Sequence, residues 1–205
     1  MPRKNRVLDK PERLIVFELR DVIPRRNPKF PNLFVTTTSK DLSENEQLFK
    51  SFTKSRRKLG SSIVSFREDL CPTGSYSDTK SRGSAKSEFC KKLAAEGYCV
   101  NPNPDSKYAV YVVKLAPTAW LKDSRLPVYV GVSSYEPVER IAQHLEGVRS
   151  ARKVKNHFGR RWEELEPQGK LFHSSYDAVA EETLWGLKLL KDGYKVFGPQ
   201  GLPRE

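Results

Sequence analysis

Cysteine is scarce in this chain. Cys71, Cys90 and Cys99 are the only three in 205 residues, and an odd number at spacings of 19 and 9 fits neither a disulfide framework nor a four-thiolate zinc site. That usage suits a reducing compartment, so the expected location is cytoplasmic. Long apolar runs are missing too. None approaches the roughly 18 residues a membrane span needs, and the opening MPRKNRVLDK has no signal-peptide core. No helix-turn-helix or zinc module can be recognised. Acidic residues are outnumbered, 25 against 37 Lys and Arg, for a net charge of +12. Such an excess concentrates phosphate at a surface, which makes nucleic acid the leading partner class, DNA first and RNA as the alternative. At about 150 residues per domain the length predicts one or two domains.

Hydrophobic patterning then places the elements. Arg13–Leu19 and Leu33–Thr38 read as strands, separated by a basic, proline-marked loop from Pro24 to Pro31. Asp41–Phe52 reads as a helix with Asp41 at its N-cap, followed by the charge run Lys54–Lys58. Ile63–Phe66 is a short strand, Thr73–Ser84 is a Gly/Ser-rich loop, and Glu88–Ala95 is a helix stopped at Gly97. Tyr108–Leu115 is nearly continuous in apolar residues, as a strand covered on both faces would be. Val128–Val132 is the next strand. A helix with Pro137 in its first turn, capped by Ser133 or Ser134, runs to about Glu146. After the basic segment Arg149–Arg161 comes an amphipathic helix, Asp177–Lys191, and a terminal strand candidate, Tyr194–Phe197.

The two halves follow the same order of elements. Leu19 and Leu115 differ by 96 positions, as do Gly97–Tyr98 and Gly193–Tyr194; Pro72 and Pro167, and Gly74 and Gly169, differ by 95. A nearly constant offset predicts an internal duplication, a pseudo-dimer in one chain, with units over residues 10–103 and 104–200. The expected fold is mixed α/β, each unit a small, mostly antiparallel sheet flanked by helices.

In the second half five polar groups fall where they could meet. Tyr111 and Tyr129 lie on neighbouring strands, and Arg140 and His144, four apart, share one helix face. Glu182 (or its neighbour Glu181) sits in the row Ala178, Glu182, Trp185, Leu189, where an unpaired carboxylate is costly. His157 and His173 read as surface residues, and Trp120, Trp162 and Trp185 as packing, although Trp162 beside Arg160–Arg161 could stack on a base.

The order Ala109-Val110-Tyr111, Tyr129-Val130-Gly131, Arg140, His144, Glu182 resembles the GIY-YIG nucleases over about residues 108–197. It departs from their pattern in Ala109, in the long connection Pro117–Leu126 and in the absence of asparagine after Glu182. The resemblance implies a metal-dependent endonuclease that hydrolyses DNA phosphodiester bonds. Glu182 would hold a single Mg²⁺ or Mn²⁺, and Arg140 would offer its fork to the non-bridging oxygens. Tyr111 would orient or deprotonate the attacking water, with His144 as proton acceptor or relay and Tyr129 positioning water or phosphate. Lys114, Arg149, Arg152, Lys153, Lys155, Arg160 and Arg161, with Arg56, Arg57 and Lys58 in the first half, are the expected phosphate contacts, as are Arg25, Arg26 and Lys54. At the offset positions the first half carries Ile15, Phe34, Thr36, Asn45, Phe49 and Lys86 in place of Tyr111, Tyr129, Gly131, Arg140, His144 and Glu182. It is therefore expected to be a degenerate, non-catalytic unit. One competent unit predicts nicking by a monomer, or double-strand cleavage by a homodimer. The rival expectations are a nucleic-acid-binding protein that keeps the fold without efficient catalysis, and a nuclease acting on RNA.

Overall fold

The computed structural model describes residues 5–20, 27, 29–40, 63–103, 105–116, 124–147, 151–199 and 202. It is a mixed α/β protein of two units, Met1–Pro104 and Asp105–Glu205, with two small mixed sheets and four helices among the described residues. No helix of the described residues is long and apolar enough to cross a membrane.

In the first unit the strands are β1 (Val7–Leu19), β2 (Asn32–Thr38), β3 (Ile63–Phe66), β4 (Tyr76–Asp78) and β5 (Cys99–Val100), with helix α1 (Thr79–Ala95) before β5. The sheet order is β3-β1-β2-β5, and β4 adds to β1. β1 pairs antiparallel with β2 and β3, whereas β2 pairs parallel with β5. One face of this sheet is closed by Ile15, Phe17, Leu19, Phe34 and Ile63, side chains whose burial stabilises the unit by roughly 1.5–3 kcal/mol apiece.

Two features here differ from the expectation. β1 begins at Val7 rather than Arg13, because Val7 and Glu12 find partners in β4 at Asp78 and Tyr76. The Gly/Ser-rich stretch is no loop: α1 starts at Thr79, because the Asp78 carboxylate accepts from the backbone N–H of Lys80 and Ser81 and so satisfies the first turn. The expected helix Asp41–Phe52 lies outside the described residues, as do Arg25, Arg26, Lys54, Arg56, Arg57 and Lys58.

The second unit consists of β6 (Ala109–Leu115), β7 (Pro127–Ser133), α2 (Pro137–Leu145), α3 (Arg152–His157), β8 (Phe158–Arg161), α4 (Ser175–Lys191) and β9 (Lys195–Phe197). Its sheet order is β8-β6-β7-β9, with two antiparallel pairs and one parallel pair at β7–β9 and no counterpart of β4 among the described residues. Side chains alternate across β6 and β7. Val110, Val112, Val128 and Val130 face α4 and pack with Phe172, Ala178 and Leu189. Tyr111, Val113 and Leu115 face the other way, toward Ile141 of α2 and Val154 of α3. The basic segment thus contains a short helix and an edge strand, folded because Val154 and Phe158 supply apolar anchors between the charges. Neither Ser133 nor Ser134 caps α2. Its N-cap is Glu136, without a side-chain bond, and the Ser133 hydroxyl instead accepts from Tyr135 N at 2.9 Å.

The two sheets share strand order, strand sense and register. Ile15 opposes Thr36 in the first as Tyr111 opposes Gly131 in the second, and Phe17 opposes Phe34 as Val113 opposes Tyr129. Individual hydrogen bonds recur. Arg67 N donates to Val16 O and Trp162 N to Val112 O, both at 2.9 Å. Both 17-residue helices end in a Schellman arrangement, with Tyr98 N donating to Leu93 O and Tyr194 N to Leu189 O.

Candidate active site

Tyr111 and Tyr129 project from the α2 side of the second sheet, with ring centroids 6.3 Å apart. Adjacent strands bring them together, and Gly131 lets them converge. A Cβ at position 131 would lie 2.6 Å from Tyr111 Oη and 2.8 Å from the Tyr129 ring, well inside van der Waals contact. Helix α2 then lowers His144 and Arg140 onto the same spot. Pro137 starts the helix, Ile141 is buried beneath it, and the i, i+4 spacing sets both polar residues on the face turned to the phenols.

His144 is 1% exposed, and its Nε2 lies 2.7 Å from Tyr111 Oη. Arg140 hydrogen-bonds the same hydroxyl. A guanidinium has donors only, so Tyr111 Oη accepts from Arg140, and the direction of its contact with His144 Nε2 follows the imidazole tautomer. Tyr129 is hydrogen-bonded to Tyr111 in turn. Arg140 Nη1 also donates to Gln143 Oε1 at 2.9 Å, which fixes the orientation of the fork. Gln143 escaped the sequence reading, though its place one turn beyond Arg140 was the available signal.

Burial governs the protonation of this cluster. It raises Tyr111 well above the ordinary phenol, with the neighbouring Tyr129 adding to the shift and Arg140 opposing it. Tyr129 is raised by burial and then by the charge of Glu182. His144 is pushed down to about 4, by burial first and the Arg140 charge second. At neutral pH the phenols keep their protons and the imidazole is uncharged. Tyr111 Oη therefore carries its proton in the protein alone.

Glu182 comes from α4, one turn after Ala178, and is 9% exposed. Its charge raises both phenols, while that of Arg140 lowers both. Among the described residues it has no hydrogen bond and no ion pair, and burial alone lifts its carboxyl to about 7. Glu181 is different: its Oε1 accepts from Lys170 Nζ at 2.8 Å. The two neighbouring acids thus differ in their surroundings. Glu181 is neutralised by the protein, and Glu182 is the carboxylate still short of a cation. No group of three or more His, Cys, Asp or Glu is clustered for a metal among the described residues; Mg²⁺ commonly takes one or two carboxylates and completes its shell with water and phosphate.

Gly198 was also missed by sequence. It follows β9 at φ 112°, and a Cβ there would run into the carbonyl of Val130 and lie 3.0 Å from the Tyr129 ring. Only glycine fits, and its backbone closes one side of Tyr129.

The expected phosphate contacts separate in space. Lys114 stands on the opposite face of β6 from Tyr111, over the Trp162 ring, so it cannot serve the same phosphate as Arg140. Arg161 is held by carboxylates. Its Nε and Nη2 donate to Glu166 at 2.9 and 2.6 Å, and its Nη1 donates to Glu163 at 3.0 Å. It is a structural clamp rather than an available cation, since Glu166 also accepts from the Val112 backbone. Lys155 lies against Gly147 at the end of α2. Arg160 is exposed. Arg149 and the side chains of Arg152 and Lys153 lie outside the described residues. His173 anchors the Ser106 carbonyl, a structural role.

In the first sheet the register positions of Tyr111, Tyr129 and Gly131 hold Ile15, Phe34 and Thr36, all buried. Asn45 and Phe49, the offset partners of Arg140 and His144, lie outside the described residues. The chain matches no family model, no curated protein and no solved structure.

Proposed function

We propose that the second unit is a phosphodiesterase of the GIY-YIG type, cutting DNA with a single divalent cation held by Glu182. The observation that supports this most is the buried, unpartnered Glu182 carboxylate whose charge bears on two phenols, beside a guanidinium that does not pair with it. A chain that only needed to fold would gain by making residue 182 apolar or by giving it a lysine, as Glu181 has.

A cation bound at Glu182, Mg²⁺ or Mn²⁺, would supply positive charge to the phosphoryl oxygens as they become more negative. Arg140 would place its fork on the non-bridging oxygens. Water attacks phosphorus and the bond to the 3′ oxygen breaks, the departing oxygen taking a proton from solvent. The water's proton passes to Tyr111 Oη as the phenol's own proton moves to His144 Nε2 along the 2.7 Å contact. His144 is a weak acceptor in the free protein. The arriving phosphate charge offsets Arg140, whose charge adds to the depression of the imidazole. Tyr129 orients the water or phosphate by its hydroxyl.

The first unit is read as a non-catalytic copy from an internal duplication, supported by the shared register and the apolar side chains at the positions of the phenols. The test is a nicking assay on supercoiled plasmid, and a parallel one on RNA, in Mg²⁺ or EDTA with wild type and Arg140→Ala. Mg²⁺-dependent nicks that EDTA and Arg140→Ala abolish are expected. No metal-dependent cutting of either polymer would end the proposal.

A further inference from the structure

The second sheet carries another charged cluster, on the face turned away from the phenols. Lys114 of β6 lies with its ammonium 5.2 Å from the centre of the Trp162 ring. Arg160 of β8 is its direct partner in the β6–β8 ladder, and its guanidinium carbon is 5.8 Å from the same ring. Tyr194 meets the indole edge-on, with centroids 5.6 Å apart and planes at 90°.

Three properties of this cluster ask for a ligand. Like charges directly opposite on paired strands repel. The acid near them, Glu164, is 3.9 Å from Arg160 in a pair whose side chains are 59% and 68% exposed, too wet to contribute much; Lys114 has no carboxylate partner among the described residues. The Trp162 indole N–H has no acceptor among the described residues either. Trp185 shows the contrast, donating to Leu165 O at 2.6 Å, as a tryptophan serving only the core does. Two cations in search of an anion beside an aromatic pair match a nucleotide, which is an anion joined to a π-face.

We propose that Lys114, Arg160, Trp162 and Tyr194 bind a single-stranded nucleic acid, its phosphate between the two cations and an unpaired base against the aromatic pair. This rests on the reading above only in taking nucleic acid as the ligand. It adds that the strand is gripped on the sheet face opposite the two phenols. A duplex keeps its bases stacked inside and gains from the cations alone, so the cluster favours unpaired segments.

The test is fluorescence anisotropy in EDTA, where cleavage is silent, so failure here and failure of nicking are separate results. The probes are labelled oligothymidylate and oligouridylate of about 20 nucleotides and a duplex of the same length. Both single strands should bind, because the cluster reads phosphate and base rather than sugar. Trp162→Leu should weaken single-strand binding about 10-fold or more, within the range of a lost stacking contact, and duplex binding less than about 2-fold. Trp162→Phe, which keeps a π-face, should retain most of the affinity. The double variant Lys114→Gln/Arg160→Gln, which leaves the core intact, should flatten the slope of log K against log salt by about 0.7, one phosphate's worth. Binding of neither strand, equal losses for strand and duplex in Trp162→Leu, or an unchanged slope in the double variant would overturn the proposal.

Discussion

Consider Glu182→Gln, which keeps the shape of the side chain and removes its charge. In the folded protein burial holds this carboxyl at about 7, against an ordinary 4.5. A raised carboxyl binds its proton more tightly folded than unfolded, so the protein is most stable where the group is neutral in both states. It loses that stability as pH rises from 4.5 through 7. At about 1.4 kcal/mol per pH unit, ionised Glu182 costs roughly 3 kcal/mol at pH 8 but only about 1 kcal/mol at pH 5. Glutamine carries no such dependence. Thermal denaturation in EDTA, followed by fluorescence, should therefore show Glu182→Gln gaining about 2 kcal/mol relative to wild type on going from pH 5 to pH 8. For a unit of about 100 residues that is about 10 °C in Tm. Mg²⁺ should raise the Tm of wild type at pH 8 and leave that of Glu182→Gln unmoved, since a ligand stabilises only the state that binds it. An equal difference between the two proteins at both pH values would show that Glu182 is not a buried, unpaired acid, and the metal reading would lose its support.

Other consequences follow from the same geometry. His144, held at about 4, contributes stability above its ordinary 6.5 that is lost as pH falls toward 4, at most about 3 kcal/mol. Urea melts in the Glu182→Gln background should show that loss, and His144→Gln should remove it. Gly131→Ala would push a methyl to within 2.6 Å of Tyr111 Oη, costing about 1–3 kcal/mol in denaturant melts and about 100-fold or more in nicking rate through misplacement of the phenols. Gln143→Ala frees the Arg140 fork and should lower kcat about 10-fold while Glu182-dependent stability stays as in wild type, read by single-turnover kinetics and by the pH pair of melts above.

Much of the second unit was legible because its physics is local. The nearly continuous apolar run Tyr108–Leu115 and the apolar Val128–Val132 marked the strands and put Tyr111 and Tyr129 on neighbouring ones, whereas the register of Tyr111 opposite Gly131 is tertiary. Parity along the strand was enough to put Lys114 on the far face, a signal that its proximity in sequence to Tyr111 obscured. α1 was read as loop from Thr79 because glycine and serine are poor helix formers, and the decision lay in the Asp78 cap and in packing against β1. α3 and β8 were hidden in a basic segment, where only Val154 and Phe158 marked an apolar side. The distinction between Glu181 and Glu182 depends on Lys170, 11 residues away, and no reading of one helix could supply it. Gly198 closes on Tyr129 through a contact between β7 and the turn after β9, which is again tertiary.

The central claim is that one acid of the neighbouring two holds the cation for phosphodiester cleavage. The direct measurement is the rate of supercoiled plasmid nicking against Mg²⁺ concentration for wild type, Glu182→Ala and Glu181→Ala. Glu182→Ala should lose all Mg²⁺-dependent nicking while Glu181→Ala keeps a rate within about 3-fold of wild type. Nicking that survives in Glu182→Ala, or that vanishes in Glu181→Ala alone, would contradict it.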